Sequence, residues 1–154
     1  MSTSTRSKPT QSRVQRIGDA VVRFILRSPM HRILSGKLIL VTVVGRKTGR
    51  EYTNPVGYAE HEGQLLVGTG ANWRRNIRPG DPIRVRLRGK DIRTEAEVIT
   101  DEDIAADLYP VIVTANPTHG RFAGINLESD GTVNRTDLHR ALTNGVAIVR
   151  LRPM

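Results

Sequence analysis

The segment Leu38 to Val44 (LILVTVV) is an uncharged run, rich in β-branched residues and closed by Gly45. It is far shorter than the roughly 20 apolar residues that a membrane span takes, and its branched side chains disfavour a helix. It reads as a fully buried strand. Tyr52 to Tyr58 follows as a second strand, in which Pro55 demands an edge or a bulge because it has no N–H to give to a ladder. Glu60 to Gly63 turns the chain into Gln64 to Gly70, making a meander. Ile83, Val85 and Leu87 alternate with Arg84, Arg86 and Arg88, and Gly89-Lys90-Asp91 turns that strand into Ile92 to Thr100 as a hairpin.

Helical patterns are fewer. Val14, Ile17, Val21, Phe24 and Ile25 follow helical spacing between Arg13 and Arg27, with Arg16, Arg23 and Arg27 on another face, ahead of Pro29. This basic amphipathic helix either packs on the body with a solvated charged face or lies on a membrane surface. Residues 1–12 are Ser/Thr-rich and read as a disordered tail, which leaves 13–154 as one domain. Asp101 caps a helix with Glu102 and Asp103 in its first turn, expected to stop or kink at Pro110. A short helix, Asp137 to Thr143, begins after Thr136 or Asn134 and precedes a last strand, Val146 to Leu151. Asn116 to Val133 reads as a long polar connection. Six short strands and few helices predict a mainly β (α+β) chain built as a small, partly open β-barrel.

With no cysteine in 154 residues, disulfides, thiolate nucleophiles and Cys-based zinc sites are excluded. The four histidines have no metal-ligand spacing, so no metal site is expected. Arg23 interrupts any secretory apolar segment, and the expected location is the cytoplasm, with peripheral contact at the inner membrane face if the helix over 13–27 binds lipid. The net charge of +9 is unevenly placed: residues 1–50 carry eleven Lys+Arg and one acid, whereas the remainder is nearly neutral. An anionic partner is expected to meet the N-terminal third. The arginine row of the hairpin resembles a nucleic-acid stripe, but Glu95 and Glu97 on the neighbouring strand are expected to neutralise it, and an aromatic content of 4% offers no stacking platform. Nucleic acid is therefore not an expected partner.

Two segments carry candidate chemistry. Gly45-Arg46-Lys47-Thr48-Gly49-Arg50 places two glycines and three cations after the buried strand, a pattern that can turn N–H groups and charge toward an anion. A basic turn with no ligand is the plainer reading of the pattern alone. Thr69-Gly70-Ala71-Asn72-Trp73-Arg74-Arg75-Asn76 sets small residues before the single Trp and two arginines, which suits close approach of a planar ring, or equally a core Trp beneath a basic turn. No nucleophile elbow or paired-carboxylate pattern is present, and hydrolase chemistry is unsupported.

The ordered set GRKTGR (Gly45 to Arg50), Asn54-Pro55-Val56-Gly57-Tyr58, Val67 to Gly70, WRRNIR (Trp73 to Arg78) and Leu108-Tyr109-Pro110-Val111 resembles the deazaflavin-dependent nitroreductase family over about residues 14–152. The resemblance implies a split β-barrel that binds 8-hydroxy-5-deazaflavin (coenzyme factor 420), with FMN ranked below it. By the same resemblance Arg46, Lys47, Thr48 and Arg50 hold the phosphate and oligoglutamyl tail. Pro55, the strand end Gly68, Thr69, Gly70 and Ala71, and the turn Trp73, Arg74 and Arg75 line the ring. It also implies a reductase that moves a hydride to a planar, electron-poor acceptor such as a quinone, enone or nitro compound, as monomer or homodimer. His119 or Tyr58 is the candidate donor of the following proton. Two rival readings are a carrier module for flavin, deazaflavin or lipid and, below it, a basic barrel binding nucleic acid. Nitroreducing relatives carry tyrosines where this chain has Asn116 to Phe122, and Gly57 replaces a further tyrosine, so a different acceptor pocket is implied. Extra polar sequence over roughly 124–142, before the last strand, is expected to cover that pocket.

Overall fold

The computed structural model describes residues 38–154. The expected tail and amphipathic helix lie outside the described residues. Seven strands, β1 (Leu38–Val44), β2 (Glu51–Gly57), β3 (Ala59–His61), β4 (Gln64–Thr69), β5 (Pro82–Leu87), β6 (Lys90–Ile99) and β7 (Ala147–Pro153), form one curled antiparallel sheet in the order β2-β1-β5-β6-β7-β4-β3. Three helices accompany them: α1 (Glu102–Ala115), α2 (Pro117–Ala123) and α3 (Arg135–Thr143). The result is a mainly β split barrel.

Period-two side-chain alternation divides the core into two layers. Along β4, Leu65 and Val67 face one way, into a cluster with Ile39, Val41, Val85, Trp73 and Leu151 that fills the curl of the sheet. Leu66 faces the other way, where Ile148 and Ile99 meet Ala105, Tyr109 and Ile112 of α1 and Leu138 of α3. The helices therefore cover the outside of β4, β6 and β7. The β1 run is buried as expected, with Ile39, Val41 and Val43 each no more than 2% exposed. β2 is an edge strand, and Pro55 sits there opposite Leu40 without interrupting any further ladder.

Several expectations need correction. There are seven strands rather than six, because the chain breaks at Tyr58 and β3 is a separate short strand. The hairpin turn is Arg88-Gly89, both residues having positive φ (50° and 79°), so strand β6 already begins at Lys90. α1 continues through Pro110 to Ala115. The proline forfeits one helical hydrogen bond, but its neighbour Tyr109 and the residue two positions on, Ile112, bury completely against the sheet and hold the helix together. The connection Asn116 to Val133 contains α2, for which Asn116 is the cap and Pro117 the first residue. Asn134 caps α3, its Oδ1 accepting from the Asp137 N–H at 2.9 Å, so the helix starts at Arg135 rather than Asp137. The last strand runs over Ala147–Pro153 rather than Val146 to Leu151, pairing with both β4 and β6. Leu138 and Ala141 of the 124–142 segment pack in the outer cluster.

The arginines of β5 and its turn are neutralised, though not by Glu95 and Glu97. Arg84 pairs with Glu51, Arg86 with Asp91 and Arg88 with Glu60. Glu97 instead takes two arginines of β7 on the other flank, its register partner Arg150 and, diagonally, Arg152, which lies in register with Glu95.

Candidate functional site

The basic turn after β1 is shaped by its own backbone and hydroxyls. Gly45 donates to the Arg50 carbonyl at 2.7 Å, and Gly49, at φ 68°, donates back to the Gly45 carbonyl at 2.9 Å. Thr48 Oγ1 lies 3.1 Å from the Tyr52 hydroxyl and accepts the Arg50 N–H at 3.3 Å. Gly45 itself has no room for a side chain, since a Cβ there would fall 2.7 Å from the Tyr52 ring. Arg46, Lys47, Thr48 and Arg50 project outward and are exposed.

This turn is docked on a second one. After β4 the chain forms a 3₁₀ turn over Asn72–Asn76. Arg46 donates its backbone N–H to Asn76 Oδ1 at 3.1 Å and reaches the Arg75 carbonyl with its guanidinium at 3.4 Å. The two basic segments singled out in the sequence are thus brought together. Among the described residues, Arg84, Arg86, Arg88, Arg135, Arg140, Arg150 and Arg152 each pair with a carboxylate; Arg46, Lys47, Arg50 and Arg75 pair with none, as do Arg74, Arg78, Lys90, Arg93 and Arg121, and the first four lie together on the two docked turns. Four cations on two docked turns, with no carboxylate partner among the described residues, are an arrangement that can hold a polyanion. That donor set fits a phosphate followed by carboxylates.

The remaining residues divide. Thr69 ends β4 with its hydroxyl accepting the Ala71 N–H at 3.0 Å, and Gly70 and Ala71 lie exposed before the 3₁₀ turn. Pro55 is half-buried on the edge strand. Trp73 is 8% exposed and belongs to the interior cluster, so its ring is a core element beneath the basic turn. Arg74 turns inward, donating to the Gly145 carbonyl at 2.5 Å just past α3, which ties the turn to the helical layer. Tyr58 is buried in the interior cluster.

His119 is not on a loop. It sits half-buried in α2, where its N–H is capped by Asn116 Oδ1 at 3.3 Å. Its Nε2 lies 3.2 Å from the Tyr109 hydroxyl, and the two rings stack with centroids 5.9 Å apart and planes 17° apart. Burial depresses the imidazole's basicity and raises the phenol's pKa, so both groups are neutral near pH 7. Two strand glycines receive this α1–α2 corner. A Cβ on Gly68 would overlap the His119 ring, and one on Gly57 would overlap the Asn116 side-chain amide. The corner therefore spans the ends of β2 and β4 and sets His119 over the strand end that leads to Gly70 and Ala71.

Sequence reasoning placed Tyr109 in the family motif and took Asn116 and Gly57 as departures that alter the acceptor pocket, but it did not join any of the three to His119 or to the strand ends. The Asn-Pro pair at 116–117 is a helix-start signal that locates α2, whereas only the fold brings Tyr109 to His119.

Solved structures share this fold at low identity. An F420-H2-dependent reductase is 15% identical, covering 75% of this chain and 94% of its own, at a TM-score of 0.50. A protein described as a domain-swapped dimer is 16% identical, covering 84% and 98%, also at 0.50. The protein Atu2129 of Agrobacterium tumefaciens, of unknown function, is 10% identical over 84% of this chain and 56% of its own, at 0.52. The family model of the F420H(2)-dependent quinone reductases matches residues 15–126, most of the chain. The chain belongs to that family, an oxidoreductase family dependent on reduced coenzyme factor 420.

Proposed function

We propose that this protein is a cytoplasmic reductase that passes a hydride from reduced coenzyme factor 420 to a planar, electron-poor acceptor, a quinone first and an enone or nitro compound second. The observation that carries the cofactor-binding half is the docking of the Gly45–Arg50 turn on the Asn72–Asn76 turn, which gathers Arg46, Lys47, Arg50 and Arg75 without a carboxylate partner among the described residues. Arg46, Lys47 and Arg50 hold the phosphate and carboxylates of the tail, and Thr48 stiffens the turn through Tyr52. Gly70 and Ala71 let the ring approach the backbone, with Pro55 and the strand end at Gly68 and Thr69 as the neighbouring wall.

When bound, the cofactor supplies the hydride. The chain supplies orientation and shields the reacting atoms from water beneath the α1–α2 corner. Tyr58 is enclosed in the barrel interior and Nε2 of His119 is engaged by Tyr109, so the proton that completes the product reaches the acceptor from solvent. The basic, amphipathic sequence over residues 13–27 would hold the enzyme at an anionic membrane face, where lipid-dissolved quinones reside, and the protein acts as a monomer or homodimer.

Side-by-side fluorescence titrations with coenzyme factor 420 and with FMN test the reading, followed by turnover with a soluble benzoquinone. Tighter deazaflavin binding that weakens as salt rises, together with quinone-dependent oxidation of the reduced cofactor, is the expected result. Binding without turnover would favour the carrier reading, and tighter FMN binding would overturn the cofactor assignment.

A further inference from the structure

The Tyr109–His119 contact has a direction that the chemistry of its two partners determines. Tyr109 is 0% exposed, and its hydroxyl has one hydrogen-bond partner among the described residues, Nε2 of His119. If the imidazole donated, the phenolic proton would be left buried with no acceptor, the costlier way to leave a polar group unpaired. If the phenol donates, its proton is satisfied and only a weak ether-like acceptor is left over. The second arrangement puts Nε2 in the acceptor state, so a neutral imidazole must carry its proton on Nδ1. That is the less common tautomer in water, and the protein selects it by geometry. Stacking against Tyr109 and contact with Gly68 leave the ring little freedom to flip. Nδ1 has no hydrogen-bond partner among the described residues.

We propose that Tyr109 is a positioning residue that fixes His119 as a neutral Nδ1–H tautomer, and that this N–H is a standing hydrogen-bond donor for the carbonyl oxygen of the acceptor. The role differs from that of an acid. A neutral imidazole that gave up its Nδ1 proton would become an imidazolate, which is far too basic to form here. It keeps the proton, and the hydrogen bond tightens as the acceptor's oxygen gains negative charge on taking up the hydride. The oxygen is then protonated by water, which balances the two-electron, two-proton reduction of a quinone to a hydroquinone. A neutral histidine kept in this state acts as an electrophile without spending binding energy on a buried cation. The acceptor part of the proposal rests on the proposed function above, whereas the tautomer part does not.

The tautomer is read directly by long-range proton–nitrogen NMR of the ¹⁵N-labelled full chain without ligands, at pH 6.5 to 8. The His119 pattern is expected to show a protonated Nδ1 and an acceptor Nε2, and Tyr109→Phe is expected to move it toward the Nε2–H form. A protonated Nε2 in the wild type, or an unchanged pattern in Tyr109→Phe, overturns the assignment. Two variants then test the donor. His119→Asn carries an amide N–H near the position of Nδ1, whereas His119→Gln carries it near Nε2. Loss of such a donor costs about 10²–10³ in turnover, so the Asn variant should retain at least about ten times the benzoquinone turnover of the Gln variant while both bind coenzyme factor 420 like wild type. Equal turnover in the two overturns the donor role. A wild-type chain that fails to bind the cofactor at all sinks the functional reading and the donor role with it, and the NMR result still decides the tautomer.

Discussion

The side-chain oxygen of Asn76 accepts the backbone N–H of Arg46 at 3.1 Å, fastening two turns that lie thirty residues apart in the chain. The link converts two basic loops into one surface whose cations keep a fixed spacing, the condition under which several charge-assisted bonds to one polyanion add up.

Removing the fastener should therefore weaken binding without removing a charge. Asn76→Ala is expected to cost about 1 kcal/mol of stability at most, since the bond is exposed. It should still raise the Kd for coenzyme factor 420 several-fold in a fluorescence titration. A Kd equal to that of wild type would mean that the turns hold their arrangement unaided.

Lys47→Ala isolates the charge from the scaffold. The side chain is exposed and has no ion-pair partner among the described residues, so stability should stay within about 0.5 kcal/mol of wild type. Each charge-assisted bond to a phosphate or carboxylate contributes roughly 1.5–3 kcal/mol, which predicts a Kd raised about tenfold to a hundredfold and a shallower dependence on salt. Unchanged affinity across salt concentrations would remove Lys47 from the tail site.

The legibility of this arrangement in the sequence was uneven for physical reasons. Strands announce themselves by period two, and β1, the edge position of Pro55 and the β5–β6 hairpin follow from side-chain alternation and turn chemistry. The stop expected at Pro110 failed because propensity is a local quantity, whereas the burial of Tyr109 and Ile112 against β4 and β7 is tertiary. Arg74 looked like Arg75 in the sequence, yet one turns in to Gly145 and the other out, since a 3₁₀ turn separates neighbours by about 120°. His119 reads in the sequence as part of a long polar connection because the partner that encloses it, Tyr109, lies in the preceding helix and the space it fills requires glycine at residue 68.

That space gives a coupling experiment. Gly68→Ala places a methyl group in the His119 ring, and forcing a group into a packed site costs roughly 1–3 kcal/mol. His119→Ala vacates the same volume, so the double variant should be more stable than the sum of the single effects by at least about 0.5 kcal/mol in urea unfolding. Strict additivity would show that the corner moves away from β4 instead of resisting.

Arg74 should behave as a structural clamp. Its guanidinium donates to the Gly145 carbonyl at the C-terminal end of α3, where a cation also complements the helix dipole. Arg74→Ala is expected to destabilise by about 1.5–3 kcal/mol in urea unfolding, a charge-assisted bond's contribution, while changing cofactor affinity less than Lys47→Ala does. The reverse ranking would return Arg74 to the binding surface.

The buried imidazole predicts the sign of a pH effect. Burial lowers the pKa of His119 below its unfolded value of 6.5, so between the two values the unfolded chain binds more protons than the folded one. Its contribution to stability is complete above pH 6.5 and declines as pH falls below it, levelling off beneath the folded-state pKa. The carboxylates with lowered pKa values, Glu102, Asp130 and Asp137, act in the same direction but only below their own unfolded values of 4.5 and 3.8. The interval from pH 6.5 to about 5 therefore separates the histidine from the acids. Urea unfolding of wild type and His119→Asn across that interval should give a stability that falls with acidification more steeply in wild type, because the variant has nothing to protonate at that position. Parallel curves, or a steeper fall in His119→Asn, would show that position 119 takes up a proton as readily in the folded chain as in the unfolded one, and that the imidazole is not held neutral against Tyr109.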